Sequence, residues 1–244
     1  MPLTRVAPTP SGFLHEGNRA NFRAVAQLAT RVGAQIALRI DDADATRYRP
    51  AYVEDIFRTL HAMEVHWDIG PSDLADFEAH WSQRAKTDYY RAELVRLRAS
   101  MATYACDCSR AVQVGPATGG CVGGCRTRDV PLVPGESALR VAVPIGPPVH
   151  VGQLEVDLAA EMGDFIVWRR DDLPAYQLVS VVEDRDLGTT HIVRGRDLLA
   201  SSAAQVFLAD SIGASNVSAA TYVHHELITD SDGRKLSKTQ ISRE

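Results

Sequence analysis

The chain has 244 residues, 45% of them hydrophobic, which is enough for one large domain or for a domain that carries an insertion. It contains no run of about 18 apolar residues and no charged-then-apolar N-terminal segment, so we expect no membrane span, no secretory signal and a cytoplasmic location. The net charge of −5 and the pI of about 5.9 exclude a chain that is basic throughout.

The first hundred residues alternate between strand and helix patterns. Residues 3–7 are predicted to form a strand, and the apolar residues from Asn18 to Val32 follow helical spacing until Gly33 ends the run. Residues 35–40 alternate as a second strand, and Pro50 precedes a second helical pattern. This βαβα order predicts a parallel sheet with right-handed crossovers.

The pattern changes after residue 101, where a third amphipathic helix over 82–101 ends. The later elements are short strands within 138–170, a helix or strand over 176–182, a strand over 191–193, a helix over 197–212 and an apolar segment over 223–228. We therefore divide the chain into the first half of an α/β domain (1–101), a Cys-rich insertion (102–135) and the second half of that domain (136–244).

The stretch Arg5–Asn18 leads from the first strand through a turn rich in Pro and Gly into the first helix. Such an arrangement binds phosphate through the N–H groups and the dipole of the helix N-terminus. Gly17 allows a close backbone approach, and His15 and Asn18 offer polar side chains at the same turn. A strand–turn–helix without a ligand has the same pattern, so this stretch alone leaves both interpretations open.

A second stretch, Asp232-Gly-Arg-Lys-Leu-Ser-Lys-Thr239, carries two lysines three residues apart. Lys235 and Lys238 in such a loop suit a transition state in which negative charge spreads over a triphosphate. The alternative is a solvated basic tail.

Together and in this order, the two stretches resemble the two signatures of class I aminoacyl-tRNA synthetases. Pro8–Asn18, with His15-Glu-Gly-Asn18, corresponds to the HIGH region, and Lys235-Leu-Ser-Lys-Thr239 to the KMSKS loop. The flanking segments are similar to the glutamyl branch, in particular to the glutamyl-queuosine tRNA(Asp) synthetases: Arg5-x-Ala-Pro-x-Pro-Ser-Gly, Leu38-Arg-Ile-Asp-Asp-Ala-Asp44, Ala175-Tyr-Gln-Leu178 and Val193-Arg-Gly-Arg-Asp-Leu198. The resemblance covers essentially the whole chain.

The resemblance implies a doubly wound parallel α/β sheet, the Rossmann-like class I synthetase catalytic domain, with a small zinc-binding insertion. It implies an ATP-dependent ligase that forms an aminoacyl-adenylate, with His15, Lys235 and Lys238 as catalytic residues. ATP would be bound by His15, Gly17, Asn18 and Lys238, together with Mg²⁺ as a bridging charge. The 244 residues leave no room for an anticodon-binding domain after the lysine loop, and we expect a monomer.

The resemblance also implies a glutamate pocket formed by Arg5, Thr9, Asp41, Tyr176 and Arg194. Arg5 and Arg194 would hold carboxylates, Asp41 would face the ammonium, and Tyr176 would add a hydroxyl and a wall.

Two positions depart from the family pattern. The family usually has Glu where this chain has Asp41, which shortens the side chain by about 1.5 Å and puts the amino-acid specificity in question. Glu16 stands where relatives usually have an apolar residue, and it weakens ATP binding unless it points outward.

The four cysteines form two close pairs, Cys106-x-Cys108 and Cys121-x₃-Cys125. This spacing suits tetrahedral Zn²⁺, with thiols that hold no metal or disulfides as the alternatives. In the related sites a tyrosine stands where this chain has Cys121, so four thiolates would form a stronger ligand set here. We expect the metal to fold the insertion and to take no part in catalysis.

The acidic net charge limits any RNA-binding surface to a local patch. Two groups of cations are candidates: Arg84, Lys86, Arg91, Arg96 and Arg98 in one group, and Arg126 and Arg128 in the other. We favour the alternative interpretation, a solvated helix face for the first group and the fringe of the metal loop for the second.

The resemblance implies activation of glutamate to glutamyl-AMP and transfer of the glutamyl group to tRNA, with the queuosine base of tRNA(Asp) as the acceptor. Two alternatives stay open. One keeps the activation step but uses a small molecule, a peptide or a carrier protein as the acceptor, and the other is a non-catalytic paralogue.

Overall fold

The computed structural model describes residues 1–108, 121 and 124–226. Its strands are β1 (Leu3–Val6), β2 (Gln35–Leu38), β3 (Thr103–Cys106), β4 (Ala138–Val141), β5 (Val149–Val151), β6 (Leu154–Val156), β7 (Phe165–Trp168), β8 (His191–Gly195) and β9 (Thr221–His225). Its α-helices are α1 (Glu16–Val32), α2 (Pro50–Ala62), α3 (Leu74–Asp76), α4 (Thr87–Ser100), α5 (Leu158–Glu161), α6 (Tyr176–Leu187), α7 (Leu199–Ala209) and α8 (Ser215–Ser218). The predicted lysine loop lies outside the described residues.

The chain forms two compact units, and the first contains residues 1–86, 187–197 and the described residues from 220 onward. In this unit β1 pairs with β2 and β8 pairs with β9, both in parallel. β1 and β8 are neighbours, and the N–H of Thr190 donates to the carbonyl oxygen of Leu3 at 2.9 Å. The two parallel pairs thus lie side by side through β1 and β8, and folds of this kind bind ligands at the carboxyl ends of their parallel strands.

Helix α1 connects β1 to β2 and covers the core of this unit. It buries Phe22, Val25 and Leu28, which belong to the same apolar cluster as Val6 and Leu38. Each side chain of this size stabilises the fold by about 1.5–3 kcal/mol when it is fully buried. The α1 N-terminus follows directly from the turn after β1, so packing of the helix also fixes that turn.

The second unit contains residues 87–186 and 198–219. Its sheet has the order β3–β4–β7 with both pairs antiparallel, and β5 and β6 form a separate antiparallel hairpin. The connection between β5 and β6 is only two residues long and permits antiparallel pairing alone, because a parallel pair needs a long crossover. The predicted parallel sheet is therefore found in the first unit, and the short strands predicted within 138–170 form antiparallel structure.

Most element types agree with the sequence patterns. The segment 176–182, for which helix and strand were both open, lies in α6, where Leu178–Asp184 is buried on every side and shows no amphipathic period. The helices predicted over 82–101 and 197–212 contain short 3₁₀ segments at their ends, Gln83–Lys86, Arg196–Leu198 and Asp210–Ile212. The predicted boundaries after residues 101 and 135 stay predictions. Among the described residues, no helix combines the length and the apolar character required to cross a bilayer.

Candidate active site and metal centre

His15 caps the N-terminus of α1. Its Nδ1 accepts a hydrogen bond from the N–H of Gly17 at 3.1 Å, while its own N–H donates to Oδ1 of Asn18 at 3.1 Å. This reciprocal arrangement is a capping box, and it pairs two N–H groups that a helix start would otherwise leave unsatisfied. Because Nδ1 is the acceptor, the neutral imidazole carries its proton on Nε2.

Gly17 is required by the position of the His15 ring. A Cβ atom at residue 17 would lie 2.9 Å from Cε1 and 3.0 Å from Nδ1 of His15, closer than carbon atoms can approach. Any side chain there would displace the ring and break the cap. The sequence-predicted residues His15, Gly17 and Asn18 therefore form one local structure.

Glu16 is turned away from the predicted phosphate site. Its carboxylate accepts a hydrogen bond from Nη1 of Arg23 at 2.6 Å, and about half of each side chain is exposed. An acidic residue in the first turn is also stabilised by the helix dipole. The departure at this position is thus accommodated on the outer face of α1.

Two buried arginines lie at the carboxyl ends of neighbouring strands. Arg5 is the third residue of β1 and Arg194 the fourth of β8, and each has only 3% of its surface exposed. Thr9 follows in the turn after β1 and is exposed. Buried guanidinium groups recognise carboxylates and phosphates by paired hydrogen bonds, so this edge of the sheet is suited to an anionic ligand.

Asp41 follows β2 at the same edge and is held by two neighbours. Arg39 donates from Nε to Oδ1 at 2.7 Å and from Nη2 to Oδ2 at 3.0 Å, and Gln83 Nε2 donates to Oδ1 at 2.9 Å. Asp42 is buried beside it and accepts from Ser82 Oγ and from the N–H of Gln83, each at 2.7 Å. Arg39 and Asp42, which sequence alone could have placed on the surface, are thus buried parts of this site.

Two histidines at the end of β9 were not identified from the sequence. His225 Nε2 lies 3.1 Å from Nδ2 of Asn21 on α1. His224 is paired in register with Arg194 on β8, and its partial burial together with the charges of Arg194 and Arg196 lowers its pKa. Neither histidine belongs to a short motif, so no local signal could have identified them.

Three predicted site residues are not part of the group of residues described at the strand ends of the first unit. Tyr176 begins α6 in the second unit, where its ring is 40% exposed. Lys235 and Lys238 lie outside the described residues. The roles assigned to these three residues stay predictions, as do those of the other site residues.

The four cysteines converge in the second unit. The Sγ atoms of Cys106 and Cys121 are 3.7 Å apart, those of Cys108 and Cys121 3.6 Å, and those of Cys108 and Cys125 3.4 Å. A tetrahedral Zn²⁺ with Zn–S bonds of about 2.3 Å requires its sulfur atoms to be about 3.8 Å apart. A disulfide would require about 2.0 Å, so the arrangement fits a four-thiolate zinc site and not a pair of disulfides.

The surroundings favour ionisation of one of the four thiols. Burial opposes ionisation of Cys121, but hydrogen bonds from the Cys125 backbone and from the neighbouring thiols outweigh burial and lower its pKa to about 7, whereas burial raises the pKa of Cys108 and of Cys125. Arg128 lies 3.6 Å from Sγ of Cys125, and Arg170 donates to the carbonyl oxygen of Cys108 at 2.9 Å. Arg128 is also paired with Asp107, whose carboxylate lies 3.3 Å from Sγ of Cys125, so its charge is shared between that carboxylate and the cluster.

Most of the arginines proposed as RNA-binding patches are paired with carboxylates. Within the described residues the pairs are Arg84–Asp42, Arg91–Asp172, Arg96–Glu93, Arg126–Asp164 and Arg128–Asp107, with distances between 2.8 and 3.1 Å. Because these arginines are neutralised by carboxylates, they do not form a basic surface of the kind that binds RNA. The pairs support the interpretation of both groups as ordinary charged surface.

Sequence and structure comparisons agree with this architecture. Residues 3–111 and 134–244 match the family of tRNA synthetases class I (E and Q), catalytic domain. The glutamyl-Q tRNA(Asp) synthetase of Methylococcus capsulatus is 37% identical, with 98% of this chain and 76% of that protein covered. That of Geobacter sulfurreducens is 36% identical, with 97% and 75% covered.

A similar solved structure, glutamate-tRNA synthetase from Elizabethkingia anophelis, has a TM-score of 0.77 at 23% identity and covers 99% of this chain. This chain spans 53% of that protein, about half its length. The fold is that of a class I synthetase catalytic domain. With the match over most of its length, the chain belongs to the family of class I tRNA synthetases (E and Q).

Proposed function

We propose that the chain is an ATP-dependent ligase that activates glutamate as glutamyl-AMP and transfers the glutamyl group to tRNA. We further propose that the acceptor is the queuosine base of tRNA(Asp). The acceptor is suggested by the relatives that are 36–37% identical over nearly all of this chain, which are glutamyl-Q tRNA(Asp) synthetases.

The observation that carries the amino-acid assignment is the pair of buried arginines on β1 and β8. Arg5 and Arg194 lie near the carboxyl ends of adjacent strands, close in the fold to the α1 N-terminus that would receive phosphate. A substrate with two carboxylates matches two buried guanidinium groups, because guanidinium recognises carboxylates by paired hydrogen bonds.

Activation requires alignment more than it requires a protein nucleophile. The α-carboxylate of glutamate attacks the α-phosphate of ATP, the bond to the β-phosphate breaks, and pyrophosphate leaves with its electron pair. Arg5 and Arg194 would orient the carboxylates, and the Nε2–H of His15 would donate to the charge that develops on the phosphate. A nucleophilic group of the tRNA then attacks the glutamyl carbonyl, and AMP leaves.

Metals would serve two different purposes in this scheme. Mg²⁺ accompanies ATP and neutralises its phosphates. Zn²⁺ on Cys106, Cys108, Cys121 and Cys125 would be structural, since four protein ligands leave no open position for chemistry. Both substrates, ATP and tRNA, fit a cytoplasmic enzyme.

The first test is ATP–pyrophosphate exchange with each amino acid in turn and without tRNA. Exchange that depends on glutamate is expected. His15→Asn is the informative variant, because Asn is a good N-cap but lacks the ring donor. We expect its exchange rate to fall by about 10²-fold while its melting temperature is unchanged. If none of the amino acids supports exchange, the proposed activation step is contradicted.

The acceptor is tested with labelled glutamate and two forms of tRNA(Asp), one containing queuosine and one an unmodified transcript of the same sequence. We expect label only on the modified form, and on its anticodon fragment after ribonuclease digestion at mildly acid pH. Label on the 3′-terminal fragment, or equal labelling of both forms, would contradict queuosine as the acceptor.

A further inference from the structure

Asn21 lies one helical turn after Gly17 and Asn18, on the same face of α1. Its Nδ2 makes two contacts, at 3.4 Å to the carbonyl oxygen of Val193 on β8 and at 3.1 Å to Nε2 of His225 at the end of β9. One side chain therefore joins the first helix to the ends of two strands.

The directions of these hydrogen bonds are determined by the backbone carbonyls at the two ends. The Val193 oxygen can only accept, so the Asn21 amide nitrogen faces it. Nδ1 of His225 lies 2.9 Å from the carbonyl oxygen of Glu226, which also can only accept, so Nδ1 carries the proton. The remaining His225 nitrogen, Nε2, must then accept from Asn21. All three bonds form together only when His225 is neutral, with its proton on Nδ1.

The residues at the ends of this chain of bonds adjoin the candidate site. Val193 immediately precedes Arg194, and His225 lies in register with Gly195, the residue that follows Arg194. Beyond His225, Glu226 accepts from Arg196 at 2.8 Å. Around His225 the charged and titratable neighbours are thus His224, Arg194, Arg196 and Glu226. The chain of bonds connects α1, whose N-cap is His15, to the strand segment that carries Arg194.

We propose that Asn21 and His225 are positioning residues for amino-acid activation. They set the place of Arg194, which orients the substrate carboxylate, relative to the α1 N-terminus, which receives the phosphate. This proposal rests on the proposed function. Displacements of about 1 Å between reacting groups can cost about 10²-fold in rate, so a bond that fixes this separation affects turnover more than binding.

The test compares Asn21→Ala, His225→Ala and the double variant in glutamate-dependent pyrophosphate exchange. We expect each single change to lower kcat by about tenfold with KM for glutamate within about twofold. The double variant should be no slower than the slower single, because both changes remove the same link. His225→Gln, whose amide oxygen can accept from Asn21, should stay within about threefold of the parent enzyme.

Asn216→Ala is the matched control, since it removes an Asn side chain that donates to the carbonyl oxygen of Asp184 in the other unit at 3.0 Å. It should leave kcat unchanged. Unaltered kcat in both single variants, additive losses in the double variant, or a loss confined to KM would each overturn the proposal while leaving the proposed function intact.

A measurement that does not depend on enzyme activity distinguishes the positioning role of Asn21 and His225 from the proposed function. Nitrogen-15 shifts of the His225 ring should show the proton on Nδ1 in the parent enzyme, and Asn21→Ala should change the Nε2 shift, because Nε2 loses its donor while Nδ1 still donates to the carbonyl oxygen of Glu226. If the parent enzyme shows no exchange, the proposed function fails, and a His225 ring with its proton on Nε2 would overturn the link itself.

Discussion

Arg39 binds Asp41 through two guanidinium nitrogens, from Nε to Oδ1 at 2.7 Å and from Nη2 to Oδ2 at 3.0 Å. The two residues are separated by one position, and their side chains are 4% and 11% exposed. The negative charge of Asp41 is therefore neutralised by a neighbouring residue of the same segment, Arg39. An incoming ammonium would have to share its oxygens with Arg39 and Gln83.

Lengthening this carboxylate should strengthen amino-acid recognition. In Asp41→Glu the carboxylate moves about 1.5 Å further from the backbone, beyond the reach of the Arg39 pair and towards the substrate ammonium. We expect kcat/KM for glutamate in pyrophosphate exchange to rise by about tenfold, the effect typical of one methylene in a binding pocket. Asp44→Glu makes the same chemical change three residues away and should have no effect. A lower kcat/KM with glutamate in Asp41→Glu would show that the shorter residue is the better ligand.

Replacing Gly17 should damage the helix cap and the active site together. In Gly17→Ala the new Cβ would meet the His15 ring at 2.9 Å, so the ring must leave the position in which Nδ1 caps the helix. Loss of the cap should lower the free energy of unfolding by about 1 kcal/mol, and the displaced ring should lower exchange by about 10²-fold. Gly146→Ala is the control, because a Cβ at residue 146 meets nothing within 4 Å. Normal exchange in Gly17→Ala would mean that His15 acts from a different position.

The elements of the first unit are predictable because their signals are local. The apolar spacing of α1 and Gly33 at its end give the helix to within two residues, and the alternation in β2 gives its strand. The motif residues His15, Gly17 and Asn18 are adjacent in sequence, and the structure confirms that they form one turn. Four cysteines in two close pairs similarly predict their own convergence.

Contacts between distant polar residues leave no such signal. Asn21 and His225 are 204 positions apart, and neither the helical nor the strand period requires a polar residue at either place. Ser82 and Gln83, which bind Asp42, lie at an irregular junction between the π-helical turn Phe77–Trp81 and a 3₁₀ segment, where periodicity carries no information. The connections from β3 to β4 and from β4 to β7 are long enough for parallel or antiparallel pairing, so the sequence pattern does not determine the antiparallel order of the second sheet.

The cysteine cluster should contain one Zn²⁺ per chain, measurable by elemental analysis of the purified protein. Chelation should lower the melting temperature, because the free energy with which the ion binds the folded cysteine cluster is lost. Glutamate-dependent exchange should survive chelation while transfer to tRNA(Asp) falls, since the cysteines and the predicted phosphate site belong to different units. Added Zn²⁺ should restore both properties and Mg²⁺ should not, because thiolates select the softer ion. A protein isolated without zinc, and insensitive to chelation, would contradict the metal assignment.

Stability should fall on acidification because of His224. Partial burial is the largest cause that lowers the pKa of His224 below its ordinary value of 6.5, followed by the charges of Arg194, His225 and Arg196. Below pH 6.5 the unfolded chain therefore binds a proton that the folded chain still excludes, and this difference favours unfolding. The contribution of His224 is complete above pH 6.5 and is lost as the pH falls towards its lowered pKa.

Denaturant unfolding at pH 7.5 and pH 5.5 measures this effect as a difference in the free energy of unfolding. His224→Gln should show a smaller fall between the two pH values than the parent protein, because glutamine does not titrate. His150→Gln removes a histidine whose side chain is 69% exposed and serves as the control, and it should keep the fall of the parent protein. If His224→Gln retains the full pH dependence, proton exclusion at the end of β9 does not contribute to stability, and the acid sensitivity belongs to other groups.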